Sequence, residues 1–441
     1  MAHVLPFRGV HFDQARLGNI RDLVAPPYDV IDGAGQKALH DRHPNNVIRL
    51  ELGFEQAGDS ETDNRYTRAA RALRDWQEQN VLKRDASPCM YLYRLTYRTP
   101  ERGSSTTKTL SGFLANFKLA ELDSGEIYPH ENTRAAAKTD RLRLLEACRA
   151  NFSPIWSLYS DPEEAVSGLF ERAVSGQSPR TDFHDEVGDQ HSLWVIDNPD
   201  ILRQVAEAMR PRPLYIADGH HRYETALNYQ RLRRQQDGPS PGLQPHDQVL
   251  MLFSRLEDPG LTVLPTHRVL TKPMPPTPQL RTMLEPWFEI VPFPLERTAE
   301  EAVRTTFLQA MRNRGRTNPC FGLAVRGGLE YWLLIQRPEH RLPDTASPRD
   351  RLDVSILQLQ VITKLCPTQQ DLESIVYTKD EYEALDWVAK GTAEGALLLN
   401  ATKVDEVRAV AVAGERMPHK STYFYPKPVT GLVLHVMEDR G

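Results

Sequence analysis

Cysteine is scarce in this chain. The four present, Cys89, Cys148, Cys320 and Cys366, are widely scattered, with no Cys-x-x-Cys pair. That spacing argues against a zinc site or a disulfide framework and fits free thiols in a reducing compartment. Long apolar runs are missing as well, and none approaches the ~20 residues of a spanning helix. The segment Met1–Arg8 has no apolar core of the signal-peptide kind. A cytoplasmic protein without membrane partners is therefore expected. Positive charge is not in excess: 54 Lys and Arg face 59 Asp and Glu, for a net charge of -5. A broad basic face that coats nucleic acid is thus not expected, although a small basic pocket is compatible with this balance. No internal repeat and no low-complexity tract is present.

What is there is an ordinary globular composition, 40% hydrophobic and 26% charged over 441 residues. That length suggests about two to three domains. Near the N-terminus, Ala25-Pro26-Pro27-Tyr28-Asp29 predicts an extended, polyproline-like wall. A helix is predicted from Gly35 to Arg42, a strand at Val47–Leu52, and an amphipathic helix over 65–80. Tyr91–Tyr97 and Thr109–Ala115 read as paired strands, with Glu101–Ser105 as their loop. A helix over 139–150, a strand at Pro154–Tyr159, a helix over 163–175, a strand at His191–Ile196 and a helix over 200–210 lead to the strand Pro213–Ala217. A second helix follows and ends near Asp237-Gly238, and Val249–Phe253 is a buried strand. Four prolines within Lys272–Pro278 mark a stiff connection and a domain boundary. Beyond it, a strand over 287–291, a helix over 298–312 and strands at 320–325 and 330–335 suggest a small α+β lobe. Helices over 355–365 and 380–390, the strand Ala396–Asn400 and the helix Val404–Val412 complete the chain. The expected organisation is 1–271, 272–395 and 396–441, the last segment returning to the first.

Four polar clusters carry chemistry. The first is Asp218-Gly219-His220-His221-Arg222, where a buried strand hands directly to a helix. Helix-start N–H groups and the helix dipole attract anions, Arg222 adds a donor fork, and Gly219 permits a tight turn. The plain alternative is that Asp218 caps the helix. The second is His130-Glu131 with Lys138 and Arg141, two cations near a helix start without a local partner in sequence, which suit an external anion or, as the plain alternative, a solvated polar turn. There is no His-Glu-x-x-His, so no zincin is indicated. The third is Lys420-Ser421-Thr422 followed by Tyr423-Phe424-Tyr425, phosphate-type donors without the glycine spacing of a Walker loop. Packing is the favoured role for the aromatics. The fourth is Pro265-Thr266-His267-Arg268, a weak signal alone, with Tyr28 and Asp29 as further wall residues.

Taken in order, Pro6-Phe7-Arg8, Ala25–Val30, Pro129-His130-Glu131, Asp218–Arg222, Pro265–Arg268 and Met417–Lys427 resemble the family called domain of unknown function 1015 over nearly the whole chain. The Asp218–Arg222 turn also resembles, over a shorter stretch, the ParB-like fold of free-serine kinases and CTP-binding partition proteins. This resemblance implies a mixed α+β fold with a ParB-like core over 1–271. It implies catalytic roles for Asp218, His220, His221 and Glu131 (Glu51 in reserve as base), and phosphate binding by Gly219, Arg222, Lys420, Ser421 and Thr422. Substrate contacts would come from His130, Lys138, Arg141, His267, Arg268, Tyr28 and Asp29. Mg²⁺ would sit at Asp218, with ATP or ADP as the nucleotide. The expected activity is nucleotide-dependent phosphoryl transfer to a small hydroxyl metabolite of the serine or phosphoserine type. The alternatives are a ParB-like nucleotide-binding regulator, or a phosphatase or other hydrolase using the same anion pocket. Nucleic acid is not an expected partner, and a homo-oligomer is left open.

Overall fold

The computed structural model describes residues 1–100, 102, 104–122, 124–133, 135–238, 240–295 and 299–437. Glu101 and Gly103 of the predicted hairpin loop, and Thr298 at the predicted helix start, lie outside the described residues. The fold is mixed α/β, and the chain divides into two compact units. One comprises Met1–Pro129, Thr133–Thr262 and Pro426–Gly441, and the other His130–Asn132 and Val263–Tyr425.

The first unit is built on a nine-stranded sheet among the described residues. Its order is Ile127–Tyr128, Leu214–Asp218, Ile155–Tyr159, Gln248–Arg255, Thr107–Lys118, Met90–Arg98, Gln190–Ile196 and Thr181–His184, with Val4–Leu5 also pairing Thr107–Lys118. Two pairings are parallel, Leu214–Asp218 with Ile127–Tyr128 and Gln248–Arg255 with Ile155–Tyr159. The central strands bury side chains on both faces, as the near-continuous apolar run Val249–Phe253 predicts. Phe113, Phe117, Phe253, Val166, Phe170, Val205 and Tyr223 are each at most 1% exposed and knit the sheet to its helices. At about 25 cal/mol per Å² of apolar surface removed from water, burying one such ring contributes a few kcal/mol.

Two predicted elements differ. Val47–Leu52 is not a strand, because Ile48–Glu51 forms a helical turn. The reason is local: the Asn46 side chain accepts the Ile48 N–H at 2.9 Å and its amide donates to Asp22 and Val24 carbonyls, which fixes the chain in a turn. Within the predicted extended wall, Tyr28–Val30 closes a 3₁₀ turn. The other helices and strands of this unit occur within a few residues of expectation, including the helix Arg65–Glu78, whose Asn64 forms a capping box with Thr67.

The second unit holds a six-stranded antiparallel sheet in the order Phe288–Pro294, Glu330–Gln336, Cys320–Val325, Gly395–Leu399, His267–Leu270 and Ile375–Thr378. Helices Glu300–Arg314 and Glu381–Ala389 bring Phe307, Leu308, Ala384 and Leu385 onto Val269, Leu333 and Leu398. The predicted helix over 355–365 is split. Asp353–Leu357 and Thr363–Leu365 flank a π-helical turn at Gln358–Ile362. All four cysteines are free and buried. Among the described residues, no helix is long and apolar enough to cross a membrane.

Candidate functional site

In the first unit, the strand Leu214–Asp218 ends in an irregularity. Its register against Ile155–Tyr159 shifts between Ile216 and Asp218, so that Asp218 faces Trp156. Such a bulge re-aims the residue that follows it. Gly219 then takes φ +95°, a left-handed conformation that favours glycine, and opens the helix His220–Asp237. The N-cap is Gly219, so Asp218 is not the cap. The strand end delivers Asp218 to two cations instead. Its Oδ2 accepts from Arg222 Nη2 at 2.6 Å, and its Oδ1 lies 2.6 Å from Lys427 Nζ.

Lys427 also donates to Asp29 Oδ2 at 2.7 Å, and its side chain is only 10% exposed. A lysine between two carboxylates thus joins segments 398 residues apart in sequence. Burial alone would raise Asp218, but the charges of Lys427 and Arg222 outweigh it and hold the carboxyl below its ordinary range. Burial would lower Lys427, but the paired carboxylates of Asp218 and Asp29 raise it.

Arg222 also donates from Nη1 to the Pro154 carbonyl at 2.5 Å. Its Nε is buried and has no hydrogen-bond partner. Arg222 and the buried Thr225 line a cavity of about 50 Å³ with Glu51, Arg141 and Ser153.

Lys138 and Arg141 do have local partners, contrary to the sequence reading. Lys138 donates to Glu224 Oε2 at 2.8 Å, which also accepts from Thr133 at 2.7 Å. Glu224 is held below its ordinary range because these two bonds outweigh its partial burial. Arg141, 6% exposed, meets Glu51 at 3.2 Å and Asp140 at 2.6 Å, and stacks 4.2 Å over the Tyr28 ring. Glu51 and Glu224 are distant in sequence, which is why spacing did not reveal them, whereas Asp140 adjoins Arg141 on the same helix. Glu51 is consequently an ion-paired, buried carboxylate, also bonded by Ser153. Both histidines of the turn sit in the first helical residues, with His220 buried. His220 adds a favourable charge interaction to Asp218.

The second unit holds the remaining candidates, His130, Glu131, His267, Arg268, Lys420, Ser421 and Thr422. His130, 1% exposed, meets Thr422 Oγ1 at 3.1 Å through Nε2, and its carbonyl accepts from Met417 N–H at 2.8 Å. Glu131 lies 3.4 Å from His419. Ser421 donates to the Pro418 carbonyl, and its own carbonyl accepts from Thr402. His267 accepts the Leu399 N–H at Nδ1, which places its proton on Nε2, 3.8 Å from Glu381. Arg268 is 3% exposed. Phe424 is buried, in keeping with a packing role for the aromatic run.

The donor set does not form a metal cage. Both Asp218 oxygens are taken by cations, and among the described residues no three His, Cys, Asp or Glu side chains gather to hold a metal. A phosphate-borne Mg²⁺ needs few protein ligands, but nothing at Asp218 is arranged for one.

A family model described as "Protein of unknown function (DUF1015)" matches residues 4–355. The chain belongs to the DUF1015 family. No curated protein matches it. Solved structures similar to it include a conserved hypothetical protein from Pyrococcus furiosus, at 14% identity, covering 71% of this chain and 92% of that one, with a TM-score of 0.33. A free serine kinase in complex with AMP is similar at 13% identity, over 76% of this chain and 96% of the other, with a TM-score of 0.35. C-terminally truncated SbnI from Staphylococcus aureus is similar at 11% identity, over 72% and 85%, with a TM-score of 0.34.

The residue that sequence reasoning passed over is Lys427. It closes the Tyr423–Lys427 motif, directly after Pro426. A lysine fixed beside a proline after an aromatic run was the available signal. Only the fold reveals that it neutralises Asp218.

Proposed function

We propose that this chain is a nucleotide-dependent phosphotransferase acting on a small hydroxyl metabolite of the serine or phosphoserine type, in the cytoplasm. The observation that carries the reading is Asp218, turned by a bulge and a left-handed glycine onto Arg222 and Lys427 at the start of a long helix. Phosphoryl transfer is mainly positioning and charge stabilisation, and this junction supplies both. Phosphoryl oxygens would displace Asp218 from the guanidinium fork and share the Lys427 ammonium. The dipole of helix His220–Asp237 would add to their attraction. Asp218, kept ionised by its neighbours, would accept the hydrogen bond of the substrate hydroxyl and orient it. Its low basicity suits a loose transition state: the bond from phosphorus to the departing nucleotide breaks as the new bond to the substrate oxygen forms, and the hydroxyl proton passes late to the Asp218 carboxylate.

Mixing the protein with serine, Mg²⁺ and either ATP or ADP, followed by ³¹P NMR, tests the reading. A phosphoserine resonance that disappears in Asp218→Asn and falls at least about 10²-fold in Arg222→Ala is expected. Inorganic phosphate released from phosphoserine alone would make the chain a phosphatase. Nucleotide binding without any new phosphorus signal would make it a regulator. Either result would overturn the transferase.

A further inference from the structure

Arg268 is a buried cation that no carboxylate pairs among the described residues. Its guanidinium donates to two backbone carbonyls, those of Thr266 and, at 3.1 Å, Lys420, and lies 5.6 Å from the Tyr377 ring centroid. Desolvation brings Arg268 down to about 10, with only Tyr377 opposing it. Burying a guanidinium with carbonyls alone for company is costly, and buried charges are ordinarily paired.

A second group at the same place lacks a partner. Thr266, 6% exposed, has its hydroxyl buried without a hydrogen bond. Two residues away in sequence, it is tied to Arg268 through its own carbonyl. Lys420, whose carbonyl receives the other Arg268 bond, is exposed and held at φ +59°. It forms no ion pair among the described residues. Two of the five guanidinium N–H groups satisfy carbonyls, and those that remain present a fork suited to two oxygens of one anion.

We propose that Arg268 and Thr266 form an oxyanion-binding site of the second unit, with the Lys420 ammonium as its outer charge, taking a phosphate or carboxylate group. The site is independent of the phosphotransfer reading and stands or falls separately. Thermal unfolding and calorimetric titration of the full chain at constant ionic strength test it, with inorganic phosphate in one arm and acetate in the other. Saturable binding of at least one anion is expected. Tighter binding of phosphate marks a phosphoryl group as the occupant, and binding of acetate as tight or tighter marks a carboxylate. Arg268→Met should weaken the binding about 10–100-fold, the loss of one or two charge-assisted bonds. Thr266→Val should weaken it by about 3–10-fold while keeping the charge, and Arg203→Gln, at an exposed ion pair with Asp200, should leave it unchanged. Absence of saturable binding to the wild type, or binding kept without Arg268, would overturn the site. So would an Arg268→Met protein that melts far lower in every buffer while neither anion stabilises the wild type, since Arg268 would then be a structural strut.

Discussion

Replacing Lys427 by Met keeps the aliphatic stem and removes only the ammonium. In the wild type that ammonium sits 2.6 Å from Asp218 and 2.7 Å from Asp29. Asp29, 42% exposed, returns to water at little cost, whereas Asp218 is 17% exposed and keeps one partner, Arg222. Removing one member of a buried ion pair typically costs about 3–5 kcal/mol. With Arg222 still in place, the expected loss is about 2–3 kcal/mol, which makes local opening about 30–150-fold more frequent. Amide hydrogen exchange of a peptide spanning Leu214–Asp218, compared between variant and wild type at one pH, reads that ratio directly. The pH dependence has a fixed sign. Asp218 is lowered in the folded state, so its contribution is complete above the unfolded value of ~3.9 and is lost as pH falls through the folded value. Lys427 is the leading source of that lowering, so the gap between the two proteins should be wide at pH ~7 and should shrink below pH ~4. Equal exchange of this peptide in both proteins at neutral pH would refute the claim that Lys427 holds the junction.

Other perturbations test the surrounding structure. Arg141→Met should destabilise by about 3–5 kcal/mol in urea, because it strands the buried Glu51 carboxylate, whereas the Glu51→Leu/Arg141→Met pair should be more stable than Arg141→Met alone. Gly219→Ala should cost about 1–2 kcal/mol and blunt any activity, since its Cβ would require φ +95° and would meet Arg222 Nε at 3.0 Å; unfolding and turnover measured on the same preparation check both. Burial, then the Glu406 charge, raise the Asp353 carboxyl to about 7 despite Lys403. Ionisation therefore opposes folding, and wild-type stability should fall as pH rises through about 7, while Asp353→Asn should abolish that fall. Melting temperatures at pH ~6 and ~8 measure the difference.

Much of the secondary structure was legible because apolar periodicity decides it. The alternating strand at 91–97 and the buried run 249–253 each occupy a sheet position that their pattern implies. Val47–Leu52 failed because its apolar residues suit a strand and a buried turn equally, and one asparagine tips the choice. The polar clusters were legible as clusters, since Asp-Gly-His-His-Arg has no packing rationale. Their pairing was not. Glu51 with Arg141, Glu224 with Lys138, and Lys427 with Asp218 are long-range ion pairs that leave no period or spacing to read. The basic helix start reads as awaiting an external anion because Glu224 and Glu51, which pair Lys138 and Arg141, come from elsewhere in the fold.

The lysine bridge has a consequence for biogenesis. Asp29 leaves the ribosome first, Asp218 midway and Lys427 last, with the whole stretch that builds the antiparallel six-stranded sheet translated in between. Until then the nascent polypeptide offers Asp218 only the Arg222 guanidinium, four residues on, and the solvent. Maturation of the junction is thereby timed by synthesis itself, and a ribosome stalled ahead of Pro426 would display a nearly complete sheet whose decisive carboxylate still lacks its second cation.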